Sequence, residues 1–98
     1  MSNIEIHGYS LKQEKIVADL EREIFALFRG EPYINEIVVT IFHGQVHNHR
    51  GHSQPFLRFL SSCETHRKEM IQKLRTLSID LEVMPVLENF FEAPEPPA

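Results

Sequence analysis

The chain opens on an alternating pattern. In residues 3–9, Ile4 and Ile6 fall on one side and Glu5 and His7 on the other, the period-two signature of a strand. Gly8 is expected to let the chain turn. Ser10 with Gln13 three residues later makes a capping-box pattern. Ile16, Val17, Leu20, Ile24, Leu27 and Phe28 then recur at helical spacing as one apolar stripe. Gly30 suits the position just past a helix, and Pro32 keeps the helix from resuming. The spacing therefore predicts a helix from about Leu11 to Arg29.

Glu36-Ile37-Val38-Val39-Thr40-Ile41-Phe42 is β-branched and apolar on both faces, as expected of a strand covered on both sides. Residues 43–55 are polar, carry two glycines and predict a long connection, with a hairpin extension near Val46. Phe56-Leu57-Arg58-Phe59-Leu60 reads as a third strand. Ser61 with Glu64 is a second capping-box pattern. Met70, Ile71, Leu74 and Leu77 give the helix that follows an apolar face, extended at its start by Cys63 and by His66 or Arg67. Ile79–Val83 alternates as a fourth strand, and Pro85 ends its regular part. Leu87, Phe90 and Phe91 are too apolar to be left in water and predict a segment that docks as a clasp, either onto the chain's own sheet or onto a neighbouring subunit. Residues 93–98 are a Pro-rich tail expected to be disordered.

One domain over residues 1–92 follows, in the order βαββαβ. The predicted fold class is α+β: two βαβ units, one four-stranded mixed sheet and two helices on one face. Element order alone also permits a ferredoxin-like alternative, in which the strands interleave into an antiparallel sheet.

Composition narrows the function classes. The 98 residues carry 10 Lys+Arg against 14 Asp+Glu, a net charge of −4, which argues against nucleic-acid binding. Apolar stretches are only a few residues long, so no membrane span is expected. The first residues lack a basic region followed by an apolar run, and the one cysteine, Cys63, has no internal partner. A reducing cytoplasm is the expected location.

The strand right after Met1, the long helix, Glu36-Ile37-Val38-Val39-Thr40, the second unit opening with Pro55-Phe56-Leu57-Arg58-Phe59, and the aromatic Asn89-Phe90-Phe91 together resemble the tautomerase superfamily. That group includes oxalocrotonate tautomerase and macrophage migration inhibitory factor. The resemblance covers nearly the whole chain, in architecture and spacing rather than in a diagnostic motif. It implies a parallel pair of strands in each unit and a trimeric assembly. It also implies an N-terminal proline acting as general base, and here the chain departs: Ser2 occupies that position. The resemblance therefore implies the fold without the catalytic residue. No cofactor is called for.

From Ile37 to Cys63 there is no Asp or Glu, while His43, His47, His49, Arg50, His52 and Arg58 all fall there. Arg58, Arg50, His47 and His49 are the candidates for binding a small carboxylate or other anion, because a guanidinium donates two parallel hydrogen bonds. His47 and His49 share a side of an extended segment, but no acidic or cysteine ligand adjoins them, so no metal site is assigned. Arg58 shares its strand face with Phe56 and Leu60, so its partner is either an anion or a carboxylate from another strand, Glu5, Asp80 or Glu82. A strand apolar on both faces in a two-layer domain predicts a homo-oligomer, for which the resemblance implies a trimer. Two functions stay open. One is a tautomerase-like protein without proline-dependent activity that binds a small anion. The other is a non-catalytic ferredoxin-like regulatory or interaction module.

Overall fold

A computed structural model describes residues 1–44, 54–61 and 65–85. It is an α+β domain with one four-stranded mixed sheet and two helices. The strands are β1 (Ser2–Tyr9), β2 (Ile37–His43), β3 (Phe56–Ser61) and β4 (Asp80–Val83), and the helices are α1 (Glu14–Leu27) and α2 (Arg67–Leu74).

The sheet order is β2-β1-β3-β4. β1 runs parallel to β2, antiparallel to β3, and β3 parallel to β4. Each βαβ unit thus keeps its own two strands side by side, and the units meet along the central β1–β3 pair. The interleaved ferredoxin-like order is not the one found. The 14 residues of α1 span about 21 Å, enough to carry the chain back to the end of the sheet where β1 began.

Register divides the side chains between two faces. Ile4, Ile6, Leu57 and Phe59 point to the helices and pack with Val17, Leu20 and Ile24 of α1 and Met70 and Leu74 of α2. Val39, Ile41, Leu81 and Val83 complete this layer from the outer strands. The opposite face carries Asn3, Glu5 and His7 of β1, Val38, Thr40 and Phe42 of β2, Phe56, Arg58 and Leu60 of β3, and Asp80 and Glu82 of β4.

Several local expectations are corrected. Gly8 makes no turn. It lies inside β1 with φ +94°, where the β1–β2 register shifts between Ile6 and Tyr9. The extra residue is absorbed as a bulge. The start of the first predicted helix is a separate 3-10 turn, Leu11–Gln13, held by the Ser10 amide donating to Gln13 Oε1 at 2.9 Å. Ile16 is 49 % exposed, because the helix rotation carries it beyond the edge of the stripe centred on Val17, Leu20, Ile24 and Phe28. Ser61 does not cap α2. It ends β3, and His66 holds the residue before the helix. Gly30, with φ +84°, does serve the end of α1 as expected.

Tyr33, buried beneath His66 with ring centroids 4.3 Å apart, has its hydroxyl pKa pushed from 10.0 up to about 12, first by burial and then by the Glu69 and Glu31 carboxylates. The folded state therefore holds this proton more tightly than the unfolded chain does. Its stabilising contribution is complete below pH 10 and is lost as pH rises from about 10 to 12. Alkaline unfolding followed by circular dichroism should show this loss, and Tyr33→Phe should flatten it. An unchanged alkaline limb in the variant would show that Tyr33 does not govern it.

Candidate functional site

The chemistry-bearing residues converge on the sheet face away from the helices. Alternation puts Glu5 and His7 two apart on this side of β1. Antiparallel register then sets Arg58 opposite Glu5, and parallel register sets Glu82 opposite Arg58. The result is a row across three strands. Arg58 Nη1 lies 3.6 Å from Glu5 Oε1, and Arg58 Nε lies 3.5 Å from Glu82 Oε1. The Arg58 side chain is 23 % exposed, less than a solvated arginine would be. Two of the three carboxylates that alternation offered as partners are thus engaged, and no ion pair joins Arg58 to Asp80.

A second row runs beside the first. His7 is stacked between Phe42 and Phe56, with centroids 4.6 and 4.9 Å away and ring planes 2° and 8° from parallel. Arg58 sits over the outer side of this group, its guanidinium carbon 5.5 Å from the Phe56 centroid. His7 Nε2 lies 2.8 Å from Glu5 Oε1. A carboxylate only accepts, so Nε2 carries the proton and donates. Nδ1 is buried and has no hydrogen-bond partner among the described residues. A carboxylate orienting an imidazole is half of a general-base arrangement. His7 lines none of the three described cavities.

Ser2 is in strand register with Ile37 on one side and Ser61 on the other. Its hydroxyl is buried, 2.9 Å from the Ser61 hydroxyl. Ser2 is therefore part of the helix-facing layer, and Met1 projects into solvent at 75 % exposure.

Of the four anion candidates, only Arg58 falls among the described residues; Arg50, His47 and His49 lie outside them, as do Cys63, Phe90 and Phe91. Among the described residues no group of three His, Cys, Asp or Glu side chains is placed to hold a metal ion. No described helix is long and apolar enough to cross a membrane. The His7 sandwich escaped sequence reasoning. Its only local trace was the placement of His7 and Glu5 on one face, because its other two members come from strands 35 and 49 residues away. Compared with family models, curated proteins and solved structures, the chain gives no match.

Proposed function

We infer that this chain is a protein of tautomerase-like architecture without proline-dependent tautomerase activity that assembles with copies of itself through the sheet face opposite the helices, as a trimer. The observation that carries the assembly is on β2. Val38 and Phe42 stand 38 % and 40 % exposed on a face that neither helix covers. Placing them against a second copy removes apolar surface from water without requiring another gene product. The paired parallel strands of each unit, joined through an antiparallel β1–β3 contact, support the architecture.

The absence of proline-dependent chemistry rests on Ser2, a hydrogen-bonded sheet residue where the resemblance calls for a secondary amine. Turnover of phenylpyruvate or a hydroxymuconate, followed by absorbance of the enol, is expected to be negligible. Family-like rates would overturn the argument. Ser2→Pro is expected to create weak activity, lost again when an uncleaved extension blocks the terminus.

Light scattering over a dilution series tests the assembly. The expected species has three times the 11.4 kDa chain mass, and Phe42→Arg should dissociate it. A parent protein that stays monomeric at micromolar concentration would sink the proposal.

The small-anion reading is kept for one reason. Both Arg58 ion pairs are longer than hydrogen bonds, so the guanidinium has donor capacity to spare. A carboxylate ligand would have to compete with Glu5 and Glu82, which already neutralise the charge. Sulfate or a small dicarboxylate should then raise the melting temperature of the parent and leave Arg58→Ala unmoved. No rise in the parent would leave Arg58 as an internal counter-ion.

A further inference from the structure

The bulge at Gly8 re-aims Tyr9. Strict alternation would leave Tyr9 on the open sheet face with Glu5 and His7. The extra residue in β1 pairs Tyr9 with His43 instead, so it takes the parity of Ile41 and packs against the helix-facing core. There Tyr9 is a wall common to two adjoining hollows, of about 260 and 410 Å³, at the end of the sheet where β1 finishes and β3 and β4 begin. Ile79 is common to both as well. The first hollow is walled on its α1 side by Ile16, which stands 49 % exposed. Asp19 and Glu23 line the first hollow and Asp80 the second, and no Lys or Arg lines either. Asp19 is engaged by Arg22. Glu23 and Asp80 are in no ion pair among the described residues. Each hollow therefore holds one uncompensated carboxylate, and an aromatic and aliphatic wall connects them. We propose that this cleft binds a linear aliphatic diamine, with one ammonium on Glu23, the other on Asp80 and the methylene chain over Tyr9 and Ile79.

Each part of such a ligand meets its own chemistry. An ammonium donates charge-assisted hydrogen bonds to a carboxylate, and the Tyr9 ring offers it a π face on the way between the two hollows. Burial raises the Tyr9 hydroxyl pKa above its usual 10.0, so the phenol stays neutral at neutral pH. The methylene chain covers Ile16 and Ile79 and removes apolar surface from water, which a bare metal cation cannot do. A monoamine satisfies one carboxylate and leaves the other alone. An anion is repelled by both. The cleft lies at the end of the sheet away from Ser2 and includes neither Val38 nor Phe42, so it is independent of the assembly proposed above.

Isothermal titration of the full chain with putrescine at physiological salt tests the site, with butylamine as the single-ammonium probe and Mg²⁺ as the bare cation. Putrescine is expected to bind about tenfold more tightly than either, because its second ammonium is tethered to the first. Glu23→Gln and Asp80→Asn should each bring putrescine down to the affinity of butylamine. Ile16→Lys, which places an ammonium in the first hollow, should abolish binding. All three positions are exposed or half-exposed, so the variants keep the fold, and their unliganded melting curves check this. No binding of putrescine to the parent, or equal affinities for putrescine and butylamine, would overturn the proposal. Equal affinities for putrescine and Mg²⁺ would reduce the cleft to diffuse counter-ion attraction and overturn it too. So would a folded Glu23→Gln, Asp80→Asn double variant that binds putrescine as the parent does, because the ligand would then sit elsewhere.

Discussion

Arg58→Ala is expected to lower stability by about 2–3 kcal/mol, roughly 10–20 °C in melting temperature for a domain of this size. The substitution removes the guanidinium that lies between Glu5 and Glu82, whose side chains are 16 % and 10 % exposed. Removing one member of a buried ion pair costs about 3–5 kcal/mol, and the partial exposure of Arg58 brings that down. The guanidinium also leaves the face of the Phe56 ring. Chemical denaturation of the variant measures the loss. Adding Glu5→Gln and Glu82→Gln to Arg58→Met should recover most of it, because both carboxylates that faced the guanidinium are then neutral. An Arg58→Ala protein as stable as its parent would show that the row is solvated and contributes nothing to folding.

Gly8→Ala is expected to be at least as damaging, at roughly 3 kcal/mol or more. Two effects add. An L-residue at φ +94° is strained by about 1–2 kcal/mol. The new Cβ would also stand 2.8 Å from Pro55 Cα and 3.2 Å from Pro55 N. Those are backbone atoms at the entry to β3, so no side-chain rotation relieves the overlap, and one of the two strands must shift. Gly30→Ala is the internal control. It carries similar strain at φ +84° but meets nothing within 4 Å, so it should lose only about 1–2 kcal/mol. If the two variants melted together, the close approach of Pro55 to Gly8 would be unimportant.

The helices and strands were legible because their signals are local. Val17, Leu20, Ile24 and Phe28 repeat at the helical period, and all four are buried where that period puts them. The parity of Arg58 with Phe56 and Leu60 was equally plain, and with it the short list of carboxylates that could meet it. Gly8 was misread because a glycine after an alternating run has the same appearance whether the chain turns or bulges. Only the packing of Pro55 against it distinguishes the two. Ser61 was misread as a cap because Ser-x-x-Glu is a common local pattern. Its hydroxyl is instead held by Ser2, 59 residues away.

The amino-acid order by itself determined which residues form strands and helices, which side of each element is apolar, and that no proline stands at the start of the first strand. These follow from interactions within a few residues, whose geometry is set by the 3.6 and 2.0 periods. Only the tertiary structure decided that β1 lies between β2 and β3, that Arg58 is shared by Glu5 and Glu82, and that His7 is clamped by Phe42 and Phe56. Each of these depends on strand order and register, and shifting a pairing by one residue would turn every side chain of that strand to the other face. Register is selected by the whole apolar layer beneath the helices at once, so no local stretch of sequence contains it.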